Sequence, residues 1–316
     1  MRISLFRFRS LNGVLLLAAG VAGLLTEPME AAVHKVDFAN DGTASLFDGA
    51  MVVPEIGGFG NGGKGMILPA KLSSVETRPL PIKGGIKYRL QLTASLVDDF
   101  VVEKNPRAHI LTLLSSGHQE TSRVAVFFQD ADGKEVPGPG MIPPEVFFLT
   151  EKPWLYTTVF YAPTEAVSLR LRFIPNRRLT QVSSVTLGPE SEEKSVNPNP
   201  DFRYGELSYS GWKPGRDGRL YTRPDGKVVL AAGYGGRSPF FPLTPGYRYN
   251  VHAKGNGGDI RLVYFDQMGK QIASRFLMRP APEGARTDFT PPEGVTTCRF
   301  ELYGNAILEE LRVTEE

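Results

Sequence analysis

The chain has 316 residues, of which 41% are hydrophobic and 22% charged, and its formal net charge is +2 at pH 7. That length suffices for two domains, each able to bury a core of its own. Charge so close to neutrality gives no global electrostatic reason to seek DNA, RNA or an anionic membrane, and the 34 glycines and 25 prolines suit tight turns between short strands better than long helices.

The first 32 residues read as a secretory signal peptide. Arg2, Arg7 and Arg9 make a basic start, Val14 to Leu25 is apolar apart from two glycines, and Met29-Glu30-Ala31-Ala32 offers small residues for cleavage. The apolar run falls short of the about 20 residues that span a bilayer. The expectation is therefore an exported product, secreted, periplasmic or at the cell surface, with no stable membrane insertion after cleavage. A retained anchor is the alternative. Removing residues 1–32 takes away three Arg and two Glu and leaves 33 basic against 32 acidic residues.

Next comes Gly58-Phe59-Gly60-Asn61-Gly62-Gly63-Lys64-Gly65, which nearly matches a phosphate-binding loop. Gly65 stands where the pattern needs Ser or Thr, so the magnesium-binding hydroxyl is missing. Pro69, Pro79 and Pro81 also oppose a following helix. The segment reads as a surface loop.

From there the chain repeats itself. Pro81 to Leu90 aligns without gaps to Pro242 to Val251, each a turn followed by an alternating strand. Val124 to Val136 aligns to Ile260 to Ile272, a strand, a Gly-containing hairpin turn and a return strand, with Asp130 and Asp266 in register. Pro163 and Pro292 each precede a strand, one carrying Leu169, Leu171 and Phe173, the other Cys298, Phe300 and Leu302. Val185-Thr186-Leu187 and Leu311-Arg312-Val313 close the two halves. The ordered set predicts two β-sandwich domains, 33–190 and 191–316, joined by the polar, proline-containing stretch from Gly188 to Pro200. The first is longer through an insertion near 97–121. No stretch after residue 32 shows sustained helical periodicity.

Cys298 is the only cysteine, so no intrachain disulfide forms, and its place in an alternating strand reads as core. His34, His109, His118 and His252 lack close metal-ligand spacing. No G-x-S-x-G nucleophile elbow is present, and no catalytic residues are assigned.

The strand that follows Pro81 and Pro242 with its Tyr, the aliphatic strand ending in Asp-x-x-Gly-Lys, the proline-preceded strand and the short closing strand resemble carbohydrate-binding-module-like jelly rolls of the galactose-binding-like group. Asn199-Pro200-Asp201-Phe202, with Trp212 downstream, resembles the opening of such a module. The resemblance implies an all-β fold of two tandem antiparallel sandwiches. It also raises a structural calcium near Asp201 and Glu310, for which carboxylate oxygens are suitable ligands.

Strand alternation then separates the faces. With Tyr249, Val251, Ile260, Leu262, Tyr264, Cys298, Phe300 and Leu302 inward, the outward set is Asn250, His252, Arg261, Phe265, Arg299, Glu301 and Tyr303, expected on one sheet face. Aromatic rings cover the C–H face of a pyranose while planar polar groups bond its hydroxyls. Loops around Trp212, Tyr221 and Tyr234 are further candidates. The corresponding face of the first half, Arg89, Gln91, Thr93, Phe127, Gln129, Arg170 and Arg172, is more basic and less aromatic and reads as a packing surface. The leading expectation is a non-catalytic exported protein whose partner is a polysaccharide or other glycan. A structural or adhesive sandwich without a sugar ligand, and a hydrolase on an unfamiliar β-scaffold, are the alternatives.

Overall fold

The computed structural model describes residues 34–37, 51–53, 65–68, 75–97, 123–136, 146–148, 154–174, 179–192 and 194–316. The leader, the glycine-rich loop at 58–64 and the insertion at 98–121, with His109 and His118, lie outside the described residues. The described residues are all-β, with no helix.

Among the described residues twelve strands precede Glu190: β1 (His34–Asp37), β2 (Met51–Val53), β3 (Gly65–Leu68), β4 (Val75–Glu76), β5 (Leu80–Pro81), β6 (Lys87–Val97), β7 (Arg123–Gln129), β8 (Glu135–Val136), β9 (Val146–Phe148), β10 (Trp154–Tyr161), β11 (Ser168–Ile174) and β12 (Leu179–Pro189). Ten follow: β13 (Arg219–Thr222), β14 (Val228–Ala232), β15 (Gly236–Arg237), β16 (Phe241–Pro242), β17 (Tyr249–Asn256), β18 (Asp259–Phe265), β19 (Gln271–Met278), β20 (Ala285–Phe289), β21 (Thr297–Tyr303) and β22 (Ala306–Glu315).

They form four antiparallel sheets. In the first half, sheet A runs β10-β6-β12-β3-β2 with β1 on β12, and sheet B runs β4-β11-β7-β8 with β5 on β11 and β9 on β7. In the second half, sheet C runs β13-β14-β22-β17-β20, and sheet D runs β15-β21-β18-β19 with β16 on β21. From β17 to β22 the chain keeps crossing between sheets C and D, the jelly-roll habit. Sheets C and D close on one apolar cluster that takes Val251, Leu308, Leu311 and Val313 from one side and Ile260, Leu262, Phe300 and Leu302 from the other.

The repeat seen in the sequence is a repeat of register. Phe128 pairs with Leu169 in β7–β11, as Tyr264 pairs with Cys298 in β18–β21. Leu90 faces Leu187 in β6–β12, as Val251 faces Val313 in β17–β22. Leu80 pairs with Leu169 and Phe241 with Cys298. The aligned tyrosines do the same job twice. Each is buried, and each hydroxyl accepts the backbone N–H five residues upstream, Lys83 to Tyr88 at 2.7 Å and Thr244 to Tyr249 at 2.8 Å. The hairpin turns also coincide. Asp130 Oδ1 accepts from the N–H groups of Asp132 and Lys134, and Asp266 Oδ1 from those of Met268 and Lys270. Gly133 and Gly269 close these turns at φ 76° and 74°, a conformation that costs a side-chain-bearing residue.

The halves also touch. β10, an edge strand of sheet A, is buried at five consecutive positions, Tyr156 to Phe160, so both its faces are covered. Its Thr157 N–H donates to the buried Ser208 Oγ at 3.0 Å, and the Tyr161 hydroxyl donates to the Val196 carbonyl at 2.7 Å. Lys87 Nζ reaches the Ser195 carbonyl at 2.6 Å, and Arg89 grips Glu190 and Glu192. Residues 32–316 accordingly form one compact unit.

Candidate functional site

The expected single face is divided in two. Asn250 and His252 lie on β17 of sheet C, whereas Arg261, Phe265, Arg299, Glu301 and Tyr303 lie on β18 and β21 of sheet D. The two sheets share a core, so their outer faces point in opposite directions. Alternation along a strand fixes inward against outward, but it carries no information on which sheet the strand joins. The same division separates Arg89, Gln91 and Thr93 on sheet A from Phe127, Gln129, Arg170 and Arg172 on sheet B.

On sheet D, cross-strand register places Arg237, Glu301, Arg261 and Phe276 in one row over β15, β21, β18 and β19. Arg299 Nη2 donates to Glu301 Oε1 at 2.6 Å, the Tyr303 hydroxyl donates to Glu301 Oε2 at 3.1 Å, and Arg237 Nε stands 3.7 Å from Oε1. Burial alone would raise the Glu301 carboxyl, but Arg299 and Tyr303 outweigh it and hold the group below its ordinary range. The Tyr303 hydroxyl is pushed up, first by that same hydrogen bond and then by burial.

Above this polar set the rings are open. Tyr234 is 69% exposed and meets Tyr303 edge-on, with centroids 6.0 Å apart. Phe276 is 55% exposed. The Arg261 guanidinium lies over the Tyr303 ring, 4.6 Å from its centroid, and among the described residues it has no ion pair. Phe265 is only 6% exposed, packed edge-on by Phe240 at 5.0 Å and covered by Arg299 at 5.2 Å, so it is floor and not contact surface. At one end Tyr303, Asp259, Arg279 and the glycine pair Gly257–Gly258 line a cleft of about 470 Å³. Phe276 was not among the expected residues. Its strand has exposed side chains on both faces, so alternation gives no signal there.

On sheet C, Asn250, His252, Arg286, Arg312 and Thr314 line an open cleft of about 450 Å³. His252 is less available than its outward position implies. A Cβ on Gly284 would stand 2.2 Å from Nε2, so the ring abuts that turn, while Nδ1 faces Glu310 at 3.5 Å.

Three other expectations change. Trp212 is core: it is 2% exposed, packs edge-on against Phe202 at 5.2 Å, and its Nε1 donates to the Pro198 carbonyl at 3.2 Å. Tyr221 is accompanied by Arg219 and lies on β13, at the edge of sheet C, away from the sheet D platform. Asp201 and Glu310 do come together, but around a guanidinium. Arg312 Nε bonds Glu310 Oε1 at 2.6 Å and Nη2 stands 3.7 Å from Asp201 Oδ2, while Arg203 takes both Asp201 oxygens. A cation already stands where calcium would have to sit, and no cluster of three His, Cys, Asp or Glu is found among the described residues. The pair does not fit a calcium site. Cys298 is buried, and burial pushes its thiol well above the ordinary range.

Among the described residues the first half lacks the platform. By the aligned register Ala125 stands for Arg261, Arg172 for Glu301 and Ile174 for Tyr303. There Arg172 lies 3.7 Å over the Phe127 ring and bonds Glu76, a closed arrangement.

No protein-family profile and no curated protein matches the sequence. Among solved structures, the chain is similar to the CBM22-1–CBM22-2 tandem domain of Paenibacillus barcinonensis Xyn10C, at 11% identity and TM-score 0.35, over 91% of this chain and 98% of that one. It is similar to the tandem CBM51 modules of the family 98 glycoside hydrolase Sp3GH98 of Streptococcus pneumoniae SP3-BS71, at 12% identity and TM-score 0.22, over 90% and 93%. It is also similar to a triple jelly roll protein of an archaeal virus turret, at 10% identity and TM-score 0.35, over 91% and 66%.

Proposed function

We propose that this is an exported, non-catalytic glycan-binding protein of two tandem sandwiches, divided near Glu190, and that the outer face of sheet D holds the ligand. One observation carries the reading: exposed Tyr234 and Phe276 flank Arg261, which stands over the Tyr303 ring, and Glu301, which is held by hydrogen bonds. Open rings supply apolar contact to the C–H face of a sugar, and preset polar groups supply directed hydrogen bonds at little further ordering cost. Binding rather than hydrolysis is favoured because Glu301 is held ionised, the opposite of what a general acid needs, and Asp259 is bonded to Arg279 at 2.6 Å.

Affinity electrophoresis of the full chain through gels containing soluble glycans tests this reading. At least one glycan should retard the protein, and Tyr234→Ala combined with Phe276→Ala should remove the retardation without lowering the melting temperature. Unchanged retardation of that variant would place the ligand elsewhere. Export predicts a processed protein beginning close to Val33, and recovery of intact Met1 from a membrane fraction would contradict it.

A further inference from the structure

The charges of the sheet D face do not cancel. Glu301 is the one carboxylate in its central row, and it is already shared by Arg299, Tyr303 and Arg237. Asp259 nearby is neutralised by Arg279. Three guanidinium groups, Arg237, Arg261 and Arg299, therefore stand against one carboxylate. Arg299 is enclosed between Phe240, Phe265 and Glu301. Arg261 is exposed, stands over the Tyr303 ring with Phe276 beside it in register, and has no carboxylate partner among the described residues.

A planar guanidinium held by an aromatic face is preset for two parallel hydrogen bonds to a carboxylate. A neutral sugar offers hydroxyl and ether oxygens, which accept single hydrogen bonds but bring no negative charge to match the guanidinium.

Resting on the glycan-binding reading, we propose that the platform selects acidic saccharides, with Arg261 taking the carboxylate of a hexuronate residue while Tyr234 and Phe276 take its C–H surface. A basic patch alone would serve any polyanion. Here the cation is fenced by exposed rings, and the chain as a whole is close to neutral, which favours a sugar acid over nucleic acid or an acidic peptide.

The test uses the full chain and four probes: polygalacturonate, neutral xylan, neutral β-glucan and poly-glutamate. Polygalacturonate should bind at least about tenfold more tightly than the neutral glycans, as expected for a charge-assisted hydrogen bond. Binding should weaken as salt rises, because the pair is exposed. Arg261→Gln should abolish the preference, and Arg261→Lys should restore part of it. Equal affinity for neutral glycans, untouched by Arg261→Gln, would overturn acid selection and leave glycan binding standing. Poly-glutamate binding as tightly as polygalacturonate would overturn the saccharide class. Failure of every glycan would remove the parent reading and this inference with it. Should Arg261→Gln lower the melting temperature, Arg261→Met, which keeps an unbranched apolar side chain over the Tyr303 ring, serves as the second charge-removing variant, with the same expected loss of preference and the same refuting result.

Discussion

The paired tyrosines allow a matched perturbation. Tyr249→Phe keeps the ring, which stacks on Phe289 with centroids 5.4 Å apart, and deletes only the oxygen that accepts the Thr244 N–H at 2.8 Å. No cavity beyond one atom is made, so the cost is that of the hydrogen bond. A neutral bond contributes about 1 kcal/mol net, and a donor left without a partner at a partly buried site raises the loss towards about 2 kcal/mol. Tyr88→Phe deletes the matching bond from Lys83 at 2.7 Å and should cost the same. The sites share no partners, so the double variant should lose the sum, about 2–4 kcal/mol. Equilibrium unfolding in urea, followed by tryptophan fluorescence and far-ultraviolet circular dichroism, measures all three variants. A cost below about 0.5 kcal/mol for either tyrosine, the range of an ordinary surface change, would refute the structural equivalence argued from the aligned sequence.

Three further outcomes are expected. Residues 191–316 alone should melt cooperatively, because every buried member of their core cluster lies between Phe202 and Val313; they should be less stable than in the full chain, having lost the bonds from Lys87, Thr157 and Tyr161, and a gradual melt would show that the halves need each other. Glu301 has a folded pKa below its reference value of 4.5, so its stabilising contribution is fully present above pH 4.5 and disappears as pH falls through the lower folded value. Glu301→Gln should therefore be less stable than the wild type at neutral pH and lose less melting temperature on acidification; parallel acid limbs would contradict the pairing. Gly233→Ala should destabilise by about 1–3 kcal/mol, as overpacking does, because its Cβ would stand 1.6 Å from the Arg216 carbonyl oxygen; thermal melting at wild-type temperature would rule that contact out.

Much of the fold was legible because it rests on local signals. The Asp130 and Asp266 turns, the tyrosines after Pro81 and Pro242, and the alternation of Cys298, Phe300 and Leu302 each declare themselves within a dozen residues. The candidate site was only partly legible. Arg261, Arg299, Glu301 and Tyr303 could be found by alternation, but His252 was grouped with them because a jelly roll sends neighbouring strands to opposite sheets. Trp212 looked like a ligand platform and proved to be a plug under the loop that precedes β13, since an indole with one satisfied N–H is as suitable inside as out. Phe276 was invisible because its edge strand has no consistently buried face.

The difference between Ala125 and Arg261, and between Ile174 and Tyr303, bears on valency. On the glycan-binding reading, a duplicated fold with one equipped face among the described residues gives one binding event per chain. Its hold on a polymer then follows a single dissociation constant, whatever the polymer's length, and a tandem architecture contributes none of the roughly 10²–10⁴-fold avidity that two linked modules can give. Retention on an insoluble glycan should fall off at the rate of the isolated platform, and durable attachment would require several chains on one support and not a second contact from the same chain.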